Sequence, residues 1–316
     1  MTILFSAKLS EQHQQMLTKR FPKETFLFYH NMDEAKQDLE RTKVLVTYGE
    51  DFDEELLAKA KKLEWIMVIS AGLDKLPLQK IAERDILLTN VRGIHKIPMA
   101  EYVISMLLQV YRNEKALIEN EKEHVWERRG LPQEISEQTM LVAGTGAIGQ
   151  EVARLAKAFR MKTIGVSRSG RTVTHFDENY PVADLKKVLP EADFVVSVLP
   201  STDETRHLFT MEHFRSMKDH TVFVNIGRGD LVESEVLIQA IKEQEIAHAI
   251  LDVAEEEPLP HDHPLWEVEN ITITPHASGV SPKYLDRSLA IFMENLEAYV
   301  NGSKQYKNVI ETKRGY

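Results

Sequence analysis

There is no cysteine in this chain of 316 residues, which excludes disulfides and thiolate chemistry and fits a cytoplasmic setting. No apolar run approaches the ~18 residues that a membrane helix needs, so no membrane association is expected. A basic region and a cleavage signature are both missing at the start, where Met-Thr-Ile-Leu-Phe-Ser-Ala reads as an opening strand. Positive charge is not in excess either. The formal charge of −10 argues against a nucleic-acid partner and otherwise describes a solvated acidic surface. No low-complexity segment and no internal repeat shorter than a domain interrupts the chain, which is long enough for two domains.

What is present is an alternation of short apolar runs and helical stretches. Thr2–Ser6, Thr25–Tyr29, Val44–Tyr48, Trp65–Ser70 and Ile86–Thr89 read as buried strands. Helices are expected at Glu11–Arg20, Asp33–Arg41, Asp53–Ala60 and Leu78–Arg84. That order makes a parallel α/β sheet the natural solution. From about Pro98 to Glu127 the pattern is one long helix, opened by a proline suited to a helix start. A second α/β series follows, with strands expected at Met140–Ala143, Thr163–Ser167, Phe194–Leu199, Val222–Ile226, Ala249–Val253 and Ile271–Thr274. The last helix, Pro282–Val300, shows one broad apolar face through Leu285, Leu289, Phe292, Met293, Leu296 and Val300. Periodicity does not say which sheet it covers.

The second series opens with the richest stretch, Met140-Leu-Val-Ala-Gly-Thr-Gly-Ala-Ile-Gly149. A strand runs into Gly144-x-Gly146-x-x-Gly149, and a helix, Gln150–Arg160, follows. Gly144 permits a tight turn, Gly146 lets backbone approach a pyrophosphate, and Gly149 lets helix and strand pack closely. The helix N-terminus around Ala147 and Ile148 supplies free N–H groups and partial positive charge. Alone the triplet would be a structural turn; between strand and helix it marks a dinucleotide site.

Three later segments sit at the C-terminal ends of expected strands, where open α/β sheets bind ligands. They are Val224-Asn-Ile-Gly-Arg228-Gly229, Leu251-Asp252-Val-Ala-Glu255-Glu-Glu257-Pro258 and Thr274-Pro-His276-Ala-Ser-Gly279. Singly, a histidine among 12 is usually structural or exposed, and Arg228 would be an ordinary surface arginine. Three consecutive glutamates, 255 to 257, would read as a solvated turn, and the residues do not say which one turns inward. Together an arginine, a carboxylate and a histidine converge on one rim.

In these motifs the chain resembles the D-isomer-specific 2-hydroxyacid dehydrogenase family, which includes glyoxylate/hydroxypyruvate, glycerate and phosphoglycerate enzymes. The likeness spans nearly the whole length. It takes in Ser70-Ala-Gly-Leu-Asp74, Ala100-Glu101, the glycine motif, Leu199-Pro200 and the three segments above. Arg228 and Glu257 stand 29 residues apart and Glu257 and His276 a further 19, as in the family. The resemblance implies two parallel-sheet domains, Rossmann-like or flavodoxin-like, with the substrate cleft between them. Residues 1–98 plus 283–316 would bind substrate and 99–282 the dinucleotide. It implies that Arg228 binds the carboxylate and carbonyl oxygen of a small 2-keto acid, and that His276 exchanges a proton with that oxygen. Glu257, chosen for its place before Pro258, would orient the imidazole. Leu199 and Pro200 would line the cofactor, Asp252 would lie near its nicotinamide end, and the N–H groups of Ala71 and Gly72 would grip the substrate carboxylate. No metal is called for.

Two departures from the family pattern stand out. Ala277 follows His276 where many members carry a bulkier residue, which should alter pocket shape. The strand Thr163–Ser167 ends in Ser167-Arg168-Ser169-Gly170-Arg171 with no acidic residue to bind a ribose 2′-hydroxyl. Hydroxyls and positive charge suit a 2′-phosphate, so NADPH is expected in preference to NADH, although a basic surface loop tolerating either cofactor would look the same. By the same resemblance the long helix would mediate a homodimer, with Trp126 near its far end reaching the partner's cleft. The rival reading is a dinucleotide-sensing protein acting through partner surfaces without turnover. A phosphoglycerate dehydrogenase committed to serine synthesis is a third, though nothing before the end at Tyr316 resembles its common C-terminal regulatory domain.

Overall fold

In the computed structural model, which describes residues 1–70, 73, 75–127 and 132–311, the chain divides into two compact units. One comprises Met1–Ile94 with Pro282–Tyr316, the other His95–Ser281. Each is built on a single parallel sheet. Among the described residues no helix is long and apolar enough to cross a membrane.

The first unit has strands β1 (Thr2–Phe5), β2 (Thr25–Phe28), β3 (Val44–Thr47), β4 (Trp65–Val68) and β5 (Leu87–Asn90), in the order β2-β1-β3-β4-β5. Helices α1 (Glu11–Arg20), α2 (Met32–Ala35), α3 (Glu54–Lys59) and α4 (Leu78–Glu83) connect them. Every residue of β3 and β4 is buried, which is why both read as unbroken apolar runs rather than alternating ones. Side chains of Ser10 and Asp53 accept N–H bonds at the starts of α1 and α3, as good N-caps do. The single helix expected over Asp33–Arg41 is instead α2 followed by a 3₁₀ turn, Lys36–Arg41, closed by the Thr42 N–H on the Leu39 carbonyl.

The second unit carries α5 (Lys96–Tyr111), α6 (Glu114–Lys122), β6 (Thr139–Ala143), α7 (Ala147–Ala158), β7 (Lys162–Ser167) and β8 (Glu178–Pro181). It continues through α8 (Leu185–Val188), β9 (Phe194–Ser197), α9 (Met211–Phe214), β10 (Val222–Asn225), α10 (Ser234–Lys242), β11 (His248–Leu251) and β12 (Ile271–Ile273). The strand order β12-β11-β10-β9-β6-β7-β8 reverses between β6 and β9. That reversal opens a crevice at the strand C-termini. One face of the sheet packs Val103, Leu107 and Tyr111 of α5 with Val152 and Ala156 of α7. The other buries Phe209, Phe214, Phe223 and Leu237.

Two further features differ from the pattern reading. The long helix is two helices, broken where Asn113 adopts a left-handed conformation (φ 54°). The Gln133 N–H bonds the Tyr111 carbonyl at 2.8 Å, satisfying a helix-end acceptor that continuation would have used. β8 had no apolar run to announce it. Its residues are all half-buried, and Pro181 is tolerated because the strand is at the edge. The last helix, α11 (Tyr284–Val300), belongs to the first unit. Its Leu289, Phe292 and Leu296 share a core with Ile3, Phe5, Val44 and Trp65, and Phe292 stacks on Trp65 at 5.6 Å between centroids.

Candidate active site

Beyond β6 the chain turns at Gly144 with φ 109°, a conformation only glycine adopts readily, and its N–H bonds the Val166 carbonyl at 2.8 Å. A Cβ on Gly149 would stand 2.0 Å from the Gly144 carbonyl oxygen, so α7 lies on the turn as closely as backbone allows. Gly146 differs: nothing lies within 4 Å of where its Cβ would be, and no side chain caps α7 above it. An open space in front of an uncapped helix start, whose N–H groups include those of Ala147 and Ile148, fits an anionic pyrophosphate. The residues present therefore suit a dinucleotide.

At the end of β7, the Ser167 hydroxyl and carbonyl both accept from the Gly170 N–H, at 3.2 and 3.4 Å. This turn leaves Arg168, Ser169 and Arg171 exposed. Neither arginine has a carboxylate partner among the described residues. The first acidic residue after β7, Asp177, is already engaged by Lys157 and by the Thr163 N–H and hydroxyl.

Next to the reversal point, β9 leads into Leu199 and Pro200, and β10 into the arginine. The Asn225 side chain receives the Gly227 N–H at 3.1 Å and donates to the Arg228 carbonyl at 2.9 Å, folding the turn back on itself. A Cβ on Gly227 would fall 2.5 Å from the Leu199 carbonyl oxygen, and one on Gly229 would fall 1.9 Å from the Ala254 carbonyl. The two glycines thus wedge Arg228 between its neighbours' strand ends. Its exposed guanidinium spends one bond on the Gly227 carbonyl (2.8 Å) and has no carboxylate partner among the described residues.

The three glutamates have separate surroundings. Glu255 Oε2 accepts from the N–H and hydroxyl of Ser234 at 2.6 and 2.7 Å, serving the start of α10. Glu256 is exposed. Glu257 accepts from the Ala254 N–H at 3.1 Å through Oε1 and meets His276 Nδ1 at 2.8 Å through Oε2. A carboxylate is an acceptor, so Nδ1 carries the hydrogen and Nε2 is left to exchange a proton with a ligand. The imidazole side chain is 53% exposed.

His276 itself is in a left-handed conformation (φ 51°), uncommon for a residue with a Cβ. Asp252, 1% exposed, lies beneath the turn. Its Oδ1 accepts from the Ala277 N–H (2.8 Å) and the Thr274 hydroxyl (2.6 Å), its Oδ2 from the Ser278 N–H (2.9 Å). Tyr102 of α5 reaches the Thr274 hydroxyl at 2.7 Å. Burial, with the Asp252 charge adding, pushes the Tyr102 phenol up to about 12. Tyr102 carries no sequence signal of its own, and Thr274 only its place at the head of the His276 segment. Ala71 and Gly72, the expected carboxylate grip, lie outside the described residues.

Together the fold and this rim define a dinucleotide-dependent oxidoreductase. Residues 104–278 match the model of the NAD binding domain of D-isomer specific 2-hydroxyacid dehydrogenases, and the chain belongs to that family. It is similar to glyoxylate/hydroxypyruvate reductase B of Escherichia fergusonii, 32% identical over 264 residues that cover 82% of each chain. Among solved structures it resembles a D-isomer specific 2-hydroxyacid dehydrogenase family protein from Aeromonas salmonicida subsp. salmonicida, at 36% identity and TM-score 0.85, covering 98% of this chain and 99% of that one. It also resembles an NADPH-dependent glyoxylate/hydroxypyruvate reductase from Sinorhizobium meliloti, solved with NADP and sulfate (26%, TM-score 0.81, covering 100% and 99%).

Proposed function

We propose that the chain reduces a small 2-keto acid to the D-2-hydroxy acid, with NADPH as the preferred donor. The observation that carries this reading is the His276–Glu257 pair at 2.8 Å, with an arginine on the same set of strand ends that, like His276 Nε2, meets no carboxylate elsewhere among the described residues. Arg228 binds the substrate carboxylate and carbonyl oxygen through its planar fork of donors. When bound, the reduced nicotinamide supplies the hydride to the carbonyl carbon. His276, protonated on both nitrogens, gives its Nε2 proton to the carbonyl oxygen and ends as the neutral Nδ1-H tautomer. Glu257 holds that tautomer and the orientation of the ring. In the oxidative direction Nε2 takes the hydroxyl proton back. Asp252 marks the nicotinamide end of the site, and Leu199 and Pro200 its wall.

The cofactor preference rests on the β7 turn. Ser167, Arg168, Ser169 and Arg171 offer donors with no acid among them to repel a 2′-phosphate, and neither arginine is paired with a carboxylate among the described residues. The first unit is assigned to the substrate and the second to the dinucleotide. We also assign the protein a homodimer through α6. This helix buries none of its residues, and Leu117, Ile118, Val125 and Trp126 (96% exposed) form an apolar surface on and just beyond it. Light scattering of the wild type against Trp126→Glu tests that assembly.

The test of function is a panel of 2-keto acids, glyoxylate and hydroxypyruvate included, run with NADPH and NADH. His276→Ala runs beside the wild type. Turnover by the wild type that falls ~10²–10⁴-fold in the variant, with NADPH affinity kept, is the expected result. Tight NADPH binding without turnover of any 2-keto acid refutes the reading and favours a dinucleotide-sensing protein.

A further inference from the structure

We propose that Tyr102 is a positioning residue for the proton-exchanging histidine, acting through a directed chain of hydrogen bonds, Tyr102 to Thr274 to Asp252, that fixes the β12 turn. The inference rests on the assignment of His276 made above.

The direction of the chain follows from counting hydrogens. Each Asp252 carboxylate oxygen accepts a backbone N–H, from Ala277 or Ser278, so the carboxylate is the acceptor throughout. The Thr274 hydroxyl gives its only hydrogen to Oδ1 at 2.6 Å. Its lone pairs are then all that remains for Tyr102, so the phenol is the donor at 2.7 Å. The raised phenol pKa keeps that hydrogen in place across the working range. A donor at Tyr102 polarises the Thr274 hydroxyl toward Asp252, and Asp252 holds the two amides that directly follow His276.

The turn needs such holding. A left-handed His276 is costly by itself, and a strained backbone persists only where its surroundings over-determine it. The His276 N–H meets the Asp252 carbonyl at 2.8 Å and the Thr274 carbonyl at 3.0 Å, so Asp252 grips the turn through main chain and side chain alike. Helix α5 and the residue that caps its start both meet the same segment. His95, seven residues before Tyr102 and on the same helical face, lies 3.4 Å from the Gly279 carbonyl oxygen through Nδ1. Of these two props Tyr102 is the one linked to the carboxylate.

Tyr102→Phe keeps the ring and removes the donor. Hydrogen exchange of the full-length variant is expected to speed up about tenfold at the amides of His276, Ala277 and Ser278, while β6, β9 and β10 stay protected. Turnover of the best 2-keto acid is expected to fall about five- to thirtyfold, with the KM for NADPH unchanged. Thr274→Val repeats the loss from the strand side should Tyr102→Phe fold poorly, and Thr274→Ser, which keeps the hydroxyl, is expected to restore both readouts. Unchanged exchange at the three amides overturns the proposal whatever turnover does. Faster exchange with wild-type turnover overturns it too, by uncoupling the turn from the histidine. Exchange reads the turn without any substrate. A wild type that reduces no 2-keto acid therefore refutes the functional assignment while exchange still decides whether Tyr102 holds the turn.

Discussion

Gly146 and Gly149 stand three residues apart in one motif, yet alanine at each should damage the protein in opposite ways. At Gly149 a Cβ would sit 2.0 Å from the Gly144 carbonyl oxygen, against the 3.0 Å below which real contacts do not go. Helix α7 would have to retreat by about an ångström, and overpacking of that size costs ~1–3 kcal/mol. For a unit of this length that lowers Tm by about 3–10 °C. At Gly146 no atom lies within 4 Å, and φ −75°, ψ −164° is open to alanine, so the fold accommodates the methyl. The small loss of N-cap preference is offset by reduced freedom of the unfolded chain, leaving Tm within ~3 °C. The methyl does occupy the space where phosphate would meet the helix start. Losing one charge-assisted bond there is worth ~1.5–3 kcal/mol, a rise in Kd of roughly ten- to a hundredfold. Calorimetry and NADPH fluorescence titration on both variants separate the effects. Wild-type NADPH affinity in Gly146→Ala, or an unchanged Tm in Gly149→Ala, refutes this account of the motif.

Arg228→Lys keeps charge but not the fork, and kcat/KM for the best 2-keto acid is expected to drop roughly ten- to a hundredfold in steady-state kinetics. Ser167→Asp combined with Arg168→Ala should carry the ratio of efficiencies from NADPH toward NADH by a factor of about ten or more; an unmoved ratio would show the arginines pointing into solvent. His248, bonded to the Thr272 hydroxyl at 2.9 Å, is pushed down to about 4 by burial, with the Lys115 charge adding. The unfolded chain binds that proton from about pH 6.5, so folding stability is full above 6.5 and drains away toward pH 4, by up to ~3 kcal/mol. Urea unfolding at steps of pH should show His248→Gln, which cannot titrate, losing less over that window than the wild type.

Legibility in the sequence followed the physics of each element. β3 and β4 were plain because burial on both faces demands unbroken apolar runs. β8 was not, since an edge strand with four half-buried residues, one of them proline, leaves no pattern. The break at Asn113 is hidden because helical periodicity runs on through it, and the carbonyl it frees is answered by Gln133 further along the chain. In the candidate site, the order of Arg228, Glu257 and His276 could be read, but the division of labour among the glutamates could not. Glu255 is taken by Ser234, 21 residues earlier, and that pairing exists only once β10 and β11 lie side by side. Tyr102 and Thr274 meet across 172 residues, a contact that no local rule predicts.

The contact of Gly229 with Ala254 ties two segments that arrive from different strands. One carries Arg228, the other Glu255 and Glu257, and neither can change length without dragging its neighbour. In an insertion scan, one added residue anywhere from Ile226 to Asp230 or from Val253 to Glu256 should therefore abolish activity outright. The exposed turn at His261 and Asp262, a few positions further on, should accept an insertion with little loss. Loop surgery meant to retune this enzyme for a new substrate has to leave that jaw at its native length and cut elsewhere.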